Sequence, residues 1–437
     1  MNMAGKVGQG HGRRAAWVLV AGTALVAAAC GSTSAPSSSS SSAAATPTPS
    51  SAATAPSVPS VDVTTFTSDI GATMSQFKAF TQYATKGADS LQVGVILPDT
   101  TSSTRYVDFD APYLTTAFGD AGYTQAQFKI DNAQGNDGTE IADAQADLAL
   151  GAKVLVMDPL DGTTGDAIQS LVAAHPGVQL ISYDRATFQG TSTYYVSFDN
   201  EKVGELIGKG EQACIQSWGI STPMIYELDG GVDTDPNAIS FASGYNNILW
   251  GQEKQGLAAG TTNSGATLLK EDYAAGWNNT TGGTVFQSFY EANKSKVNAT
   301  VEANDGLANA VITDLKGDGV AAKTIPTTGQ DATLQGMENI LTNWQCGSVY
   351  KPIYLEAQDA VALATILLGG GTPPAALLNG KTTDPANASI TEPASLLTAT
   401  WVNASNMEST VIKDGFISAS TLCTAVGASI CSAAGIS

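Results

Sequence analysis

The sequence predicts an α/β protein built as two lobes, each a parallel sheet covered by helices. Three observations carry that expectation. At 437 residues the chain is too long for a single hydrophobic core. From residue 90 onward, short apolar runs alternate with amphipathic stretches of helix length, and Asp, Asn or Arg follows nearly every run. The runs lie at 91–97 (LQVGVIL), 152–157 (AKVLVM), 178–183 (VQLISY), 193–198 (TYYVSF), 223–228 (PMIYEL), 298–303 (NATVEA) and 323–329 (KTIPTTG). Their length and β-branched content mark them as strands. Helical spacing appears at 108–121, 139–150, 164–174, 202–216, 237–255, 306–316 and 334–343. Strand followed by helix, repeated, argues for parallel pairing through helical crossovers.

Ahead of this body stand an address and a spacer. Residues 1–29 hold no acid; Lys6, Arg13 and Arg14 precede the apolar run 15–29, and Cys30 follows directly. Fifteen apolar residues fall short of the roughly 20 that cross a bilayer, so the layout is that of a cleaved secretory leader. The segment LVAAACG at 25–31 resembles the lipobox of bacterial lipoproteins, with Ala27 where Leu is usual. That resemblance makes Cys30 the lipid-bearing residue and puts the mature chain on the outer face of the cytoplasmic membrane. Of residues 31–60, 28 are Ser, Thr, Ala or Pro, a composition that cannot bury a core and acts as a solvated tether, 30–60. Residues 61–89 read as a lead-in to the first lobe.

Charge and composition exclude several functions. Twenty Lys and Arg against 40 Asp and Glu give a net charge of −20, and losing the leader's three cations takes it to −23. Nucleic acid is a poor partner for such a chain. His11, in the leader, and His175 are the only histidines, so a multi-histidine metal site is excluded and a Ser-His-Asp triad would rest on His175 alone. Besides Cys30 there are Cys214, Cys346, Cys423 and Cys431. An exported protein keeps disulfides, and four cysteines allow three pairings. Closeness in sequence favours Cys423 with Cys431.

The residues after each strand are the informative ones, because ligands of parallel sheets sit beyond the C-terminal strand ends. Here they are Asp99, DPLDG (158–162), DR (184–185), DN (199–200), LDGG (228–231), NDG (304–306) and QD (330–331). Asp and Asn also cap helices and shape turns; a cap needs no arginine. Planar carboxylate, amide and guanidinium groups can engage adjacent hydroxyls of a neutral polyol two at a time. Tyr106 and Trp277 fall in loops, placed to cover an apolar C–H face. No matched carboxylate pair marks a glycoside hydrolase, and the expectation is a binding protein with no catalytic residue, cofactor or metal.

Six motifs, in order and at matching spacing, resemble one family: YDR (183–185), YYVSFDNEKVGELIGKG (194–210), NDG (304–306), GQDATLQG (329–336), VYKP (349–352) and STVIKDGF (409–416). They are similar to the xylose-binding and multiple-aldose-binding branch of the sugar receptors of bacterial ABC importers, over about residues 90–417. The resemblance implies a type I periplasmic-binding-protein fold, two parallel-sheet α/β lobes joined by a three-stranded hinge, closing on one monosaccharide. It implies a first lobe of 90–192 plus 350–385, a second of 193–349 plus 386–417, and a tail of 418–437 outside the family pattern. Carried over by position, the sugar would meet Arg105, Tyr106, Asp161 and Arg185 from the first lobe. The second lobe would offer Asn237, Trp277 as a stacking ring, Asn304, Asp305 and Asp331, with Lys351 at a crossing. Cys214 and Cys346 would fall in the same lobe, which makes their pairing plausible. The implied partners are a monosaccharide and the permease and ATPase subunits of an importer, with the receptor a monomer; a receptor that signals to a membrane kinase or chemoreceptor is the alternative.

Departures from the family pattern lie close to the pocket. The family's first loop reads Glu-Arg-Trp, whereas here it is Thr104-Arg105-Tyr106. Pro236 stands where the xylose-binding relatives have Asn, and the stretch 257–275 is longer than theirs. These changes bear on which sugar the pocket would select.

Overall fold

The computed structural model describes residues 74–188, 193–232 and 234–436. The leader, the tether with Cys30, and residues 61–73 of the lead-in lie outside these. The first lobe opens with α1 (Lys78–Thr85), whose Phe80 is buried along with Met74 and Phe77 just before it. It continues through β1 (Val93–Leu97), α2 (Ala111–Asp120), β2 (Phe128–Asn132), α3 (Asp137–Leu150), β3 (Val154–Met157), α4 (Gly162–Ala173), β4 (Gln179–Tyr183) and β5 (Thr193–Phe198). The second lobe runs through α5 (Asn200–Ser217), β6 (Met224–Asp229), α6 (Pro236–Trp250), β7 (Thr262–Asn263), β8 (Ala266–Tyr273), α7 (Asn279–Asn293), β9 (Ala299–Glu302), α8 (Asp305–Gly317), α9 (Leu334–Leu341) and β10 (Ser348–Tyr350). The chain then returns for α10 (Ile353–Leu368), β11 (Gly380–Thr383) and β12 (Thr391–Leu397), and leaves again for β13 (Thr400–Val402), α11 (Ala419–Val426) and α12 (Ala428–Ala433).

The first sheet has the order β11-β12-β5-β4-β3-β1-β2, parallel except for the β11 edge. The second has the order β7-β8-β6-β9, with β7 antiparallel, and β10 pairs antiparallel with β13. Strands buried on both faces read as continuous apolar runs, and VGVIL in β1 and VLVM in β3 are buried at every position. Side-chain caps start the helices where the sequence placed Asp and Asn: Asn136 on α3, Asp161 on α4, Asp199 on α5, Asp235 on α6, Asn278 on α7 and Asn304 on α8. Each accepts a backbone N–H that the first turn would otherwise leave unpaired.

Three segments cross between the lobes, after Phe198, at Lys351–Pro352 and after Leu397. All of β5 and β12 belong to the first sheet, with Tyr183 opposite Val196 and Leu397 opposite Phe198. The lobes therefore change hands later than at 193 and 386, because a crossing strand keeps its ladder to its last residue and nothing in its composition names its sheet. The run 323–329 is not a strand. Pro326 has no N–H, and the Thr328 N–H donates to the Glu302 carboxylate at 2.9 Å, so no ladder forms beside β9.

The tail packs rather than trailing. Leu422, Cys431 and Ile436 are buried with Met337, Ile340, Val411 and Phe416, and Cys423–Cys431 ties α11 to α12. Cys214 on α5 is bonded to Cys346 ahead of β10, with Cα atoms 5.9 Å apart.

Candidate functional site

Loops at the C-terminal ends of both sheets converge on one cavity between the lobes. The first lobe lines it with Ser102, Ser103, Arg105, Tyr106, Asp184 and Arg185. From the second come Asn237, Phe241, Trp277, Asn304, Gln330 and Asp331, and Lys351 reaches in from the second crossing. The enclosed volume is about 20 Å³, room for about one water. Any larger solute enters only if the lobes part.

Asp184 is the node of the first-lobe wall. Its φ of 56° is left-handed, a region that Asp enters more readily than most residues. Its carboxylate accepts from Arg105 Nη1 at 2.6 Å and from the Tyr106 hydroxyl at 3.1 Å, and lies 3.5 Å from Lys351 Nζ. Burial alone would raise its pKa, but the cations Arg105, Lys351 and Arg185 hold it well below the usual carboxylate range. Arg105, only 1% exposed, also bonds Asp110 through Nε at 2.8 Å and Nη2 at 2.7 Å, and Glu356 at 2.8 Å. Four of its five N–H donors are thus spent on three carboxylates.

Arg185 lies between two rings, its guanidinium carbon 5.5 Å from the Tyr106 centroid and 6.0 Å from that of Trp277. It donates to the Pro159 and Leu160 carbonyls at 3.0 and 2.9 Å and to the Tyr106 oxygen at 3.0 Å. Trp277, at φ 57°, donates its indole N–H to Asp235 at 2.8 Å. A Cβ on Gly230 would stand 2.0 Å from that indole, so only glycine lets the ring seat there.

Opposite, Asp331 has a φ of 87°. It accepts from Ser103 Oγ at 2.8 Å across the cleft and pairs with Lys351 Nζ at 3.0 Å. Burial pulls the Lys351 pKa down, yet Asp184 and Asp331 together raise it, so the ammonium stays charged. Asn304 caps α8 and turns its Nδ2 toward the Ser102 carbonyl at 3.4 Å. Asn237 bridges to the first-lobe backbone, donating to the Asp184 carbonyl at 2.8 Å and accepting from the Ala186 N–H at 3.1 Å.

Eight of the ten expected ligand residues thus line one cavity. Asp161 and Asp305 do not. The Asp161 carboxylate is taken by the Thr164 N–H at 2.8 Å as the cap of α4. Asp305 lies behind the wall, accepting from the Thr333 N–H at 2.8 Å, Gln345 Nε2 at 2.7 Å and Ser348 Oγ at 2.8 Å; burial pushes its pKa up to about 7. Sequence reasoning missed Ser102, Ser103, Asp184, Phe241 and Gln330. Asp184 and Gln330 stood in quoted strand-end pairs, where the partner residue drew the assignment; the serines and Phe241 carry no distinguishing signal.

Residues 93–372 match the model of the periplasmic binding protein domain. The chain belongs to that family. It is 32% identical over 295 residues to the D-xylose-binding periplasmic protein of Escherichia coli (strain K12), covering 67% of this chain and 82% of that protein. It is 31% identical over 346 residues to the multiple sugar-binding periplasmic protein SbpA of Azospirillum brasilense, covering 76% of this chain and 91% of SbpA. A carbohydrate transporter solute binding protein from Chloroflexus aurantiacus, solved in complex with D-glucose, superposes with a TM-score of 0.64 at 25% identity, over 76% of this chain and 98% of that one. The fold is the type I periplasmic-binding-protein fold, and the family is one of solute-binding proteins rather than enzymes.

Proposed function

We propose that this chain is the exported sugar receptor of an ABC importer, a lipoprotein anchored at Cys30 that captures a monosaccharide, xylose or a related aldose, and hands it to a membrane permease. The observation that carries the reading is the composition of the cavity wall. The first lobe offers carboxylate and guanidinium groups and the second carboxylate and amide groups, beside Tyr106 and Trp277, together the set that suits a ring with polar edges and an apolar face. Capture couples to closure because contacts from both lobes exist together only when the cleft is shut. The closed form is then the signal that a permease reads. Relatives named for xylose or several sugars support an aldose as cargo, and the changed loop Thr104-Arg105-Tyr106 is where selection among aldoses would differ from theirs.

Isothermal titration of the chain from residue 61 against xylose, glucose, galactose, arabinose, ribose and fructose tests this. Saturable binding of at least one aldose at micromolar affinity or better is expected, lost in Arg185→Ala. Silence from folded protein across the panel overturns the reading. Mass spectrometry of the N-terminal peptide from membranes tests the anchor, which requires a diacylglycerol adduct on Cys30.

A further inference from the structure

Asn237 is among the residues expected to meet the ligand, yet both ends of its side chain are engaged by the opposite lobe. It sits at the start of α6, 3% exposed. Its Nδ2 donates to the Asp184 carbonyl at 2.8 Å, and its Oδ1 accepts from the Ala186 N–H at 3.1 Å. These two backbone groups flank Arg185, and the left-handed turn at Asp184 presents both to one planar amide. The same carbonyl accepts the Tyr195 hydroxyl at 2.7 Å, whose oxygen in turn accepts from Asn200 at the first crossing at 3.0 Å. One short chain of hydrogen bonds therefore joins the second lobe, the first-lobe wall and the hinge.

We propose that Asn237 is a closure latch: it reads the backbone of the first lobe rather than the hydroxyls of a ligand, and so sets the closed fraction alike for every solute. The proposal rests on the sugar reading only for the binding arm of its test. The apparent dissociation constant of a receptor that binds in one conformation is the intrinsic constant divided by the fraction in that conformation. A latch residue then scales all affinities by one factor, whereas a ligand-contacting residue discriminates between sugars that differ at the hydroxyl it touches. Losing two buried hydrogen bonds should weaken each sugar by roughly tenfold.

Two measurements decide it, with Asn237→Ala and Asn237→Ser, each checked for an intact thermal transition. First, titration with every sugar that the wild type binds should show a common loss of roughly tenfold with the ratios between sugars preserved. Ratios that change between sugars, or affinities that stay at wild-type level, overturn the latch. Second, in sugar-free full-length chain carrying Cys30→Ser, a spin label at Val107→Cys on the first lobe should relax amides of α7 through the minor closed state. That relaxation should fall in the variants, and an unchanged profile overturns the latch. If the wild type binds no sugar, the sugar reading fails by itself and the relaxation experiment still decides the role of Asn237.

Discussion

Arg105 and Asp331 face the same cavity and do different work. With three carboxylates on its guanidinium, Arg105 holds the first-lobe wall together; Asp110 and Glu356 are each 0% exposed. Removing the cation leaves buried charges without their partner, which costs about 3–5 kcal/mol. Arg105→Met should therefore lower the urea midpoint of unfolding by that equivalent, and a loss below about 1 kcal/mol would show that the network is already neutralised by protons. Asp331 is tied to the opposite wall through Ser103 and to the crossing through Lys351. We expect Asp331→Ala to weaken sugar binding by roughly tenfold or more, from the loss of a carboxylate able to serve two hydroxyls, while the chain still folds, because Lys351 keeps the Asp184 carboxylate 3.5 Å away; an unchanged dissociation constant would remove Asp331 from the binding set. At this scale the motifs pointed to the right loops but not to each role. A strand-end Asp is a cap, a ligand or a charge partner according to the backbone angle beneath it. Asp161 capping α4 and Asp184 at φ 56° look alike in sequence.

Between elements, α5 and α6 of the second lobe pack backbone against backbone, and that packing depends on glycine. A Cβ on Gly204 would lie 2.1 Å from the Phe241 carbonyl oxygen, and one on Gly244 would lie 2.2 Å from that of Glu201. Backbone cannot withdraw as a flexible side chain can, so Gly204→Ala should cost about 1–3 kcal/mol through overpacking. Gly119→Ala in α2, with nothing within 4 Å of the added carbon, is the control and should be neutral or stabilising by up to about 1 kcal/mol. Paired thermal melts compare them, and equal shifts would mean that the helices are free to move apart. The alternation of strand and helix was legible because buried parallel strands and amphipathic helices carry different periods. Other elements were not. In α10 nearly every residue from Ile353 to Ile366 is buried, so no amphipathic period survives; the short β13 draws its identity from β10, far back in the chain, and GKTT in β11 has no apolar run to mark it.

At the scale of the whole molecule, buried acids that make no ion pair among the described residues set the pH dependence. Burial pushes Glu140, Glu302 and Glu392 up to about 8 and Asp359 up to about 7. Burial is the leading cause for each; among the described residues the Asp359 carboxylate accepts from the Ser395 hydroxyl at 2.6 Å and pairs with no cation. Such groups hold their protons in the folded chain over a range where the unfolded chain, with carboxyls titrating near 4, has released them. Stability is then fully present below about pH 4 and is lost as pH rises toward about 8, since the slope with pH follows the excess of protons bound by the unfolded state, here negative. Asp184 works in the opposite direction, but its ionisation falls below the usual carboxylate range, so it contributes no slope between pH 5 and 8. The midpoint of thermal unfolding should therefore fall steadily from pH 5 to pH 8. Asp359→Asn, which cannot ionise, should narrow the difference between those two pH values. A midpoint that is flat or rises over that range would mean that these carboxyls ionise in place, with water reaching them inside the lobes.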